Sequence, residues 1–259
     1  MLNTPTATEN ITIGTIIQLG HHRLICGDAT DTSLIAKLCG DDKIDLILTD
    51  MPYAVEVVKG RAEFASGKGK DHKHIANDHH QTEEQYAQFT ADWLNACKVY
   101  LSPKNAYYSF NGDLMIYAHR QGFLDAGFKV SQLLVWAKTT NILSRQDYLP
   151  QHELILYGWH GAHQFQKSKD KSVLIHPKTK KNTLHPTMKP VGLLRRLILN
   201  STKLGQVVYD PFGGSGSTLI ACEQTKRKCL MVELDPSYCH VIAQRWAKMT
   251  GETPLIISP

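Results

Sequence analysis

A chain of 259 residues, 42% hydrophobic and 20% charged, has the makeup of a soluble globular protein with enough sequence for a substantial core. No run approaches the ~18 uninterrupted apolar residues of a membrane span, and residues 1–12 lack the basic start and apolar centre of a secretory signal. The net charge of +5 does not by itself declare a nucleic-acid partner. Six dispersed cysteines without a CxxC pair exclude a disulfide scaffold and read as reduced thiols of a cytosolic protein.

In chain order, residues 11–26 alternate apolar and polar around Gly20-His21, a short hairpin that ends at Gly27-Asp28. Residues 32–38 read as a helix. The apolar run at 44–49 is short enough for a buried parallel strand and delivers Asp50 at its carboxyl end. A helical period covers 82–101, with Thr82 and Gln85 spaced as a capping box, and residues 102–105 stop it. A strand at 106–110, a helix at 113–126 and strands at 129–136 and 153–157 follow. After them come a helix at 191–201, a strand at 206–209, a helix at 217–224, a strand at 228–232 and a closing helix at 236–249. This alternation predicts an α/β fold: a mostly parallel sheet with helices on both faces and ligands beyond the carboxyl ends of its strands. Asp28, Asp50, Asp210 and Glu233 each follow an apolar run, so one rim is expected to gather four carboxylates and a glycine turn.

That turn is Asp210-Pro211-Phe212-Gly213-Gly214-Ser215-Gly216-Ser217-Thr218. Its glycines permit tight geometry and close approach of a ligand, and the following helix offers unpaired N–H groups at its positive end. Glu233 ends the next strand, where a carboxylate can accept from both hydroxyls of a ribose. The spacing is not the G-x-G-x-x-G of a pyrophosphate site, and Asp210 would repel phosphates while suiting an ammonium. S-adenosylmethionine therefore fits better than a nicotinamide cofactor.

The second string, Asp50-Met51-Pro52-Tyr53, supplies an anionic acceptor, a rigid turn and a stacking ring. The Asp50 carboxylate and the Met51 carbonyl could draw the hydrogens of an exocyclic amine and localise its lone pair. Tyr53 would stack on a base that has left the duplex.

Two lysine-rich stretches, one with Lys68, Lys70 and Lys73 and the other with Lys167, Lys169, Lys178, Lys180 and Lys181, read as exposed loops suited to phosphates. Histidines at 72, 74, 79 and 80 share no zinc-type spacing, and no metal is expected. Asp147-Tyr148 reads equally as a second wall for a base or a structural turn, and Trp136 and Trp159 read as core residues.

Taken together, these strings resemble the beta class of amino-methylating DNA methyltransferases, in which the tyrosine loop precedes the cofactor turn, with phage-type solitary enzymes similar. The match spans nearly the whole chain. It includes Cys26-Gly27-Asp28-Ala29, Arg145-Gln146-Asp147-Tyr148, Tyr157-Gly158-Trp159, His185-Pro186-Thr187-Met188-Lys189-Pro190, the DPFGGSGSTLIACE run from Asp210 and Glu233-Leu234-Asp235-Pro236. The resemblance implies a single methyltransferase domain over 1–259. Its fold would be the Rossmann-like, seven-stranded type with circularly ordered motifs. Residues 55–80 would form a loop near the active site, and 161–184 a short basic target-recognition segment. It further implies Asp28 and Ala29 near the adenine of S-adenosylmethionine. His185, Thr187 and Lys189 would join the turn from Asp210 to Thr218 at the methionine end, with Glu233 at the ribose. The implied substrate is double-stranded DNA in a bacterial or phage setting, read by one chain or a homodimer. Where the family usually has proline, this chain has Met51, which keeps a carbonyl but loses a fixed φ. The acidic Asp50 goes in this family with N6-adenine; an N4-cytosine enzyme, a non-catalytic DNA-binding protein and an RNA or small-molecule enzyme are the alternatives.

Overall fold

Among the described residues, eleven strands form one sheet in the order β11-β1-β2-β10-β9-β3-β4-β6-β5-β8, with β7 joined beside β4. The computed structural model describes residues 11–52, 81–141, 147–166, 169–178 and 188–258. The strands are β1 Ile16–Leu19, β2 His22–Cys26, β3 Ile44–Asp50, β4 Leu101–Asn111, β5 Lys129–Ala137, β6 His152–Trp159, β7 Ala162–His163, β8 Val173–Ile175, β9 Val207–Asp210, β10 Lys228–Glu233 and β11 Leu255–Ser258. Helices α1 Thr32–Cys39, α2 Glu83–Lys98, α3 Ile116–Asp125, α4 Val191–Ser201, α5 Ser217–Thr225 and α6 Pro236–Thr250 complete the described elements.

The central strands β2, β10, β9, β3 and β4 are mutually parallel, whereas β6 runs antiparallel to both β4 and β5. Side-chain alternation divides the core. Ile47, Tyr209, Leu230 and Val232 pack with Leu34, Tyr86, Trp93 and Phe123 beneath α1, α2 and α3. Leu46, Leu48, Val208 and Met231 pack with Leu193, Leu219, Ile242 and Trp246 beneath α4, α5 and α6. A sheet covered on both faces needs strands that are apolar throughout, and β3 and β9 are buried almost along their length.

Local chemistry sets the helix starts. The capping box predicted at α2 is present, with Thr82 accepting from the Gln85 amide and Gln85 from the Thr82 amide. Asp31 and Asp235 cap α1 and α6, the latter with Pro236 in the first turn.

Three readings of the sequence need correction. The helix expected to reach residue 101 ends at Lys98, and the stretch around Pro103 opens β4 at a register shift. A proline is tolerated there because the ladder is already interrupted. Part of the lysine stretch from Lys167 to Lys181, expected as an exposed loop, joins the sheet: β8 pairs with Val135, Trp136 and Ala137, and just before the stretch β7 pairs with Lys104 and Asn105. The Leu255–Ser258 strand, absent from the sequence reading, pairs antiparallel with β1.

Candidate active site

Parallel pairing of β2 with β10, β10 with β9 and β9 with β3 brings the carboxyl ends of four strands to one rim. Asp50, Asp210 and Glu233 terminate β3, β9 and β10, and Asp28 lies two residues beyond β2. From β9 the chain crosses to β10 on one side, and from β3 it crosses to β4 on the other. The crevice between β9 and β3 is therefore the point of strand-order reversal where open α/β sheets bind ligands. Asp50 and Asp210 flank it, and the Thr49 hydroxyl ties the two strands by donating to Asp210 Oδ1 at 3.0 Å.

The glycine turn is built for close backbone approach. Gly214 and Gly216 hold φ of +51° and +75°, in the left-handed region that penalises a side chain. A Cβ on Gly213 would come within 2.9 Å of the Met231 side chain. Glu233 binds the turn from the neighbouring strand, accepting from the Gly214 amide at 2.6 Å and the Asp235 amide at 2.9 Å. Arg245, from α6, donates to the Ser215 carbonyl at 2.8 Å. Ser215 and Ser217 are paired at 3.2 Å, and Thr218 is buried in the first turn of α5. Phe212 is half-buried against Phe89 and Trp93. On the far side of the rim Asp28, exposed, accepts from the amide and hydroxyl of Thr30, and Ala29 is buried.

Burial pushes the Asp210 carboxyl up to about 7, with the Asp50 charge adding to the rise and bonds from Thr218, the Phe212 amide and Thr49 opposing it. Burial likewise raises Glu233 to about 7 against the pull of its amide donors. Carboxyls with folded-state values above their unfolded ones contribute stability that is complete below about pH 4 and is lost as pH rises through about 7. The Asp210→Asn variant keeps the acceptor for Thr49 and should flatten that decline. Melting temperatures of native and variant protein across this window measure it, and parallel slopes would count against the Asp210 contribution.

At the Asp50 end of the crevice, Met51 is 1% exposed and packs into the core under α2, its sulfur 3.8 Å from Thr90 Oγ1. The Pro52 carbonyl accepts from the Tyr86 hydroxyl at 2.9 Å, and Asn111 Nδ2 donates to that hydroxyl at 2.7 Å. Lys189, expected at the methionine end of the cofactor, stands beside Asp50. Its ammonium lies 2.5 Å from Asp50 Oδ2 and 3.0 Å from Glu153 Oε2. The attraction of these two carboxylates outweighs burial and raises the Lys189 ammonium above its ordinary range.

Of the remaining predicted residues, Tyr53, His185 and Thr187 lie outside the described residues, as do Lys68, Lys70, Lys73, Lys167, Lys180 and Lys181 and the whole of 55–80. Lys169 and Lys178 are exposed, with Lys178 donating to the Asn141 carbonyl at 3.2 Å. Tyr148 is 91% exposed. Trp136, read as a core residue, is buried. Sequence reasoning missed Tyr86, Asn111, Lys138, Glu153 and Arg245. For Lys138 and Glu153 a signal was present: a charge at the end or start of an otherwise apolar strand run.

The family model described as a DNA methylase, of the N6/N4 type, matches residues 44–245, from β3 through most of α6. The chain belongs to this DNA methylase family. Type II methyltransferase M.HpaI of Haemophilus parainfluenzae is 27% identical over 248 residues, covering 86% of this chain and 73% of that protein. The methylase fold is shared with the cytosine-N4-specific PvuII DNA methyltransferase, with a TM-score of 0.67, 16% identity, and coverage of 86% of this chain and 85% of that one. It is shared too with M1.HpyAVI solved with S-adenosylmethionine, with a TM-score of 0.62, 21% identity, and coverage of 86% and 98%. Among the described residues of the methylase, no helix is long and apolar enough to cross a membrane.

Proposed function

We propose that this methylase transfers a methyl group from S-adenosylmethionine to the N6 of an adenine turned out of double-stranded DNA. The observation that carries the reading is the adjacency of Asp50 and the glycine turn on neighbouring strands at the reversal point, tied by Thr49 and Asp210. The cradle suits the cofactor. The left-handed backbone of Gly214 and Gly216 forms a turn without side chains at those positions, Glu233 offers a carboxylate to ribose hydroxyls, and Asp28 stands at the far side of the rim. The cofactor supplies an electrophilic sulfonium methyl. What the chain supplies is position: the Asp50 carboxylate and the Met51 carbonyl accept from the exocyclic amine, Tyr53 stacks on the base, and exclusion of water strengthens each contact.

An acidic residue at the head of the tyrosine loop favours adenine over cytosine. Nucleoside mass spectrometry of DNA treated with the enzyme tests this, and N4-methylcytosine in place of N6-methyladenine would reverse it. The exposed Lys169 and Lys178 suit DNA phosphates, and the short recognition segment goes with a brief target sequence or a second copy that completes the contact.

The Met51 departure is expected to be tolerated, because the proposed contact is its main-chain carbonyl. Met51→Pro should retain transfer while losing thermal stability, since a buried thioether leaves the core. That loss is about 2–4 kcal/mol by analogy with other large-to-small core changes. Turnover and melting temperature of the two proteins check the pair of effects; loss of transfer in a folded variant would assign a role to the methionine side chain itself.

A further inference from the structure

Behind Asp50 lies a row of charges whose expense calls for an explanation. Lys138 Nζ sits 2.8 Å from Glu153 Oε1, Lys189 lies 3.0 Å from the other oxygen of Glu153, and Lys189 reaches Asp50 Oδ2 at 2.5 Å. The order is cation, anion, cation, anion, so the row sums to zero. The side chains of Lys138 and Lys189 are only 5% and 8% exposed. Their ammonium groups lie 5.2 Å from the Trp136 ring and 5.3 Å from the Phe110 ring, and those two rings meet edge to face. Burying such ions costs several kcal/mol each, and apolar residues of similar volume often serve stability as well or better. Packing alone therefore does not account for two lysines here.

The row also links three parts of the fold. Lys138 follows β5, on the side where β8 joins the sheet, and its amide donates to the Gln151 carbonyl at 2.8 Å. Glu153 lies on β6 directly across from Trp136 of β5. Lys189 stands just before α4. Its long stem has many rotamers, and the two carboxylates beside it favour one.

We propose that Lys138, Glu153 and Lys189 form a positioning relay for the base clamp: Lys138 fixes Glu153, Glu153 fixes the Lys189 ammonium, and Lys189 holds the Asp50 carboxylate in the plane that meets the target amine. The relay rests on the reading of Asp50 as the amine acceptor. It assigns Lys189 to the base rather than to the cofactor, and gives Lys138 and Glu153 a role in the reaction. Lys138, Glu153 and Lys189 together carry +1, which balances the Asp50 carboxylate and leaves the row as a whole neutral. The three residues touch neither base nor cofactor in this scheme; they act through Asp50.

Single-turnover methyl transfer to unmethylated DNA, measured beside the Kd for S-adenosylmethionine, tests the relay in the full-length enzyme. A clamp displaced by about an ångström loses on the order of 10²-fold in the chemical step, so Lys189→Met should show that loss, Glu153→Gln about tenfold, and Lys189→Arg partial recovery. Cofactor Kd should stay within about threefold throughout, because binding and chemistry separate when an interaction serves only the reacting geometry. The double variant Lys138→Met with Glu153→Gln removes one charge of each sign. It serves as the second measurement should Lys189→Met unfold, and it should slow transfer while keeping a cooperative melt. Native transfer rates in these variants, or a cofactor Kd that weakens in step with the rate, would overturn the relay alone. A native enzyme that methylates no DNA would overturn the reading of Asp50 and the relay with it.

Discussion

Replacing Asp50 with alanine is expected to abolish methyl transfer while leaving cofactor binding close to native. The carboxylate sits at the end of β3, at the crevice beside Asp210, and is paired with Lys189 rather than with the glycine turn. Removing one preorganised group that acts on the reacting atom costs about 10²–10⁴-fold in rate. The cradle formed by Gly213, Gly214 and Glu233 makes none of its hydrogen bonds to Asp50, so its affinity should survive. Lys189 keeps Glu153 as a partner in the variant, but Lys138, Glu153 and Lys189 are left with a net charge of +1, so a loss of stability is expected beside the loss of transfer. Label incorporation from S-adenosylmethionine, set against calorimetric cofactor binding, measures both halves. If cofactor binding vanished together with transfer, Asp50 would belong to the cradle and the division of labour between the two strings would fall.

Glu233→Ala should have the second-largest effect, and of a different kind. This carboxylate is both a proposed ribose acceptor and the bracket that holds the Gly214 and Asp235 amides. Its loss leaves two part-buried donors without that partner, at up to about 1–3 kcal/mol each, which predicts a drop in melting temperature. Lost hydrogen bonds to a charged group are worth about 1.5–3 kcal/mol, so cofactor affinity should fall roughly tenfold to a hundredfold. Glu233→Gln separates the two contributions, since an amide oxygen can still accept from one backbone donor. Recovery of stability without recovery of affinity is the expected pattern; recovery of both in Gln would mean the charge is not used by the cofactor.

How much of this was legible beforehand depended on the distance over which each residue acts. The β3 and β9 strands were readable because a strand covered on both faces must be apolar throughout, and the α2 start because Thr82 and Gln85 carry their own signal. The rim of carboxylates followed from strand ends alone. Pairing partners were not readable. Val173–Ile175 is too short and too embedded in lysines to announce a strand, and it exists because β5 offers an open edge there. Leu255–Ser258 depends in the same way on β1. Within the site, Lys189 was assigned by its place in a motif, while its meeting with Glu153, 36 positions away in sequence, depends on the antiparallel β6. No local pattern encodes such a meeting.

The hydrogen bond between Thr49 and Asp210 joins residues 161 positions apart. On a growing chain, the loop that would grip a base is synthesised long before the turn that would serve it. Until β9 emerges and pairs with β3, and β10 fills the place between β9 and β2, the crevice beside Asp50 is not formed. A product that stops before β9 is therefore expected to lack both the crevice and the glycine turn. Competence to modify DNA arrives in one step, when the chain closes its own central crevice.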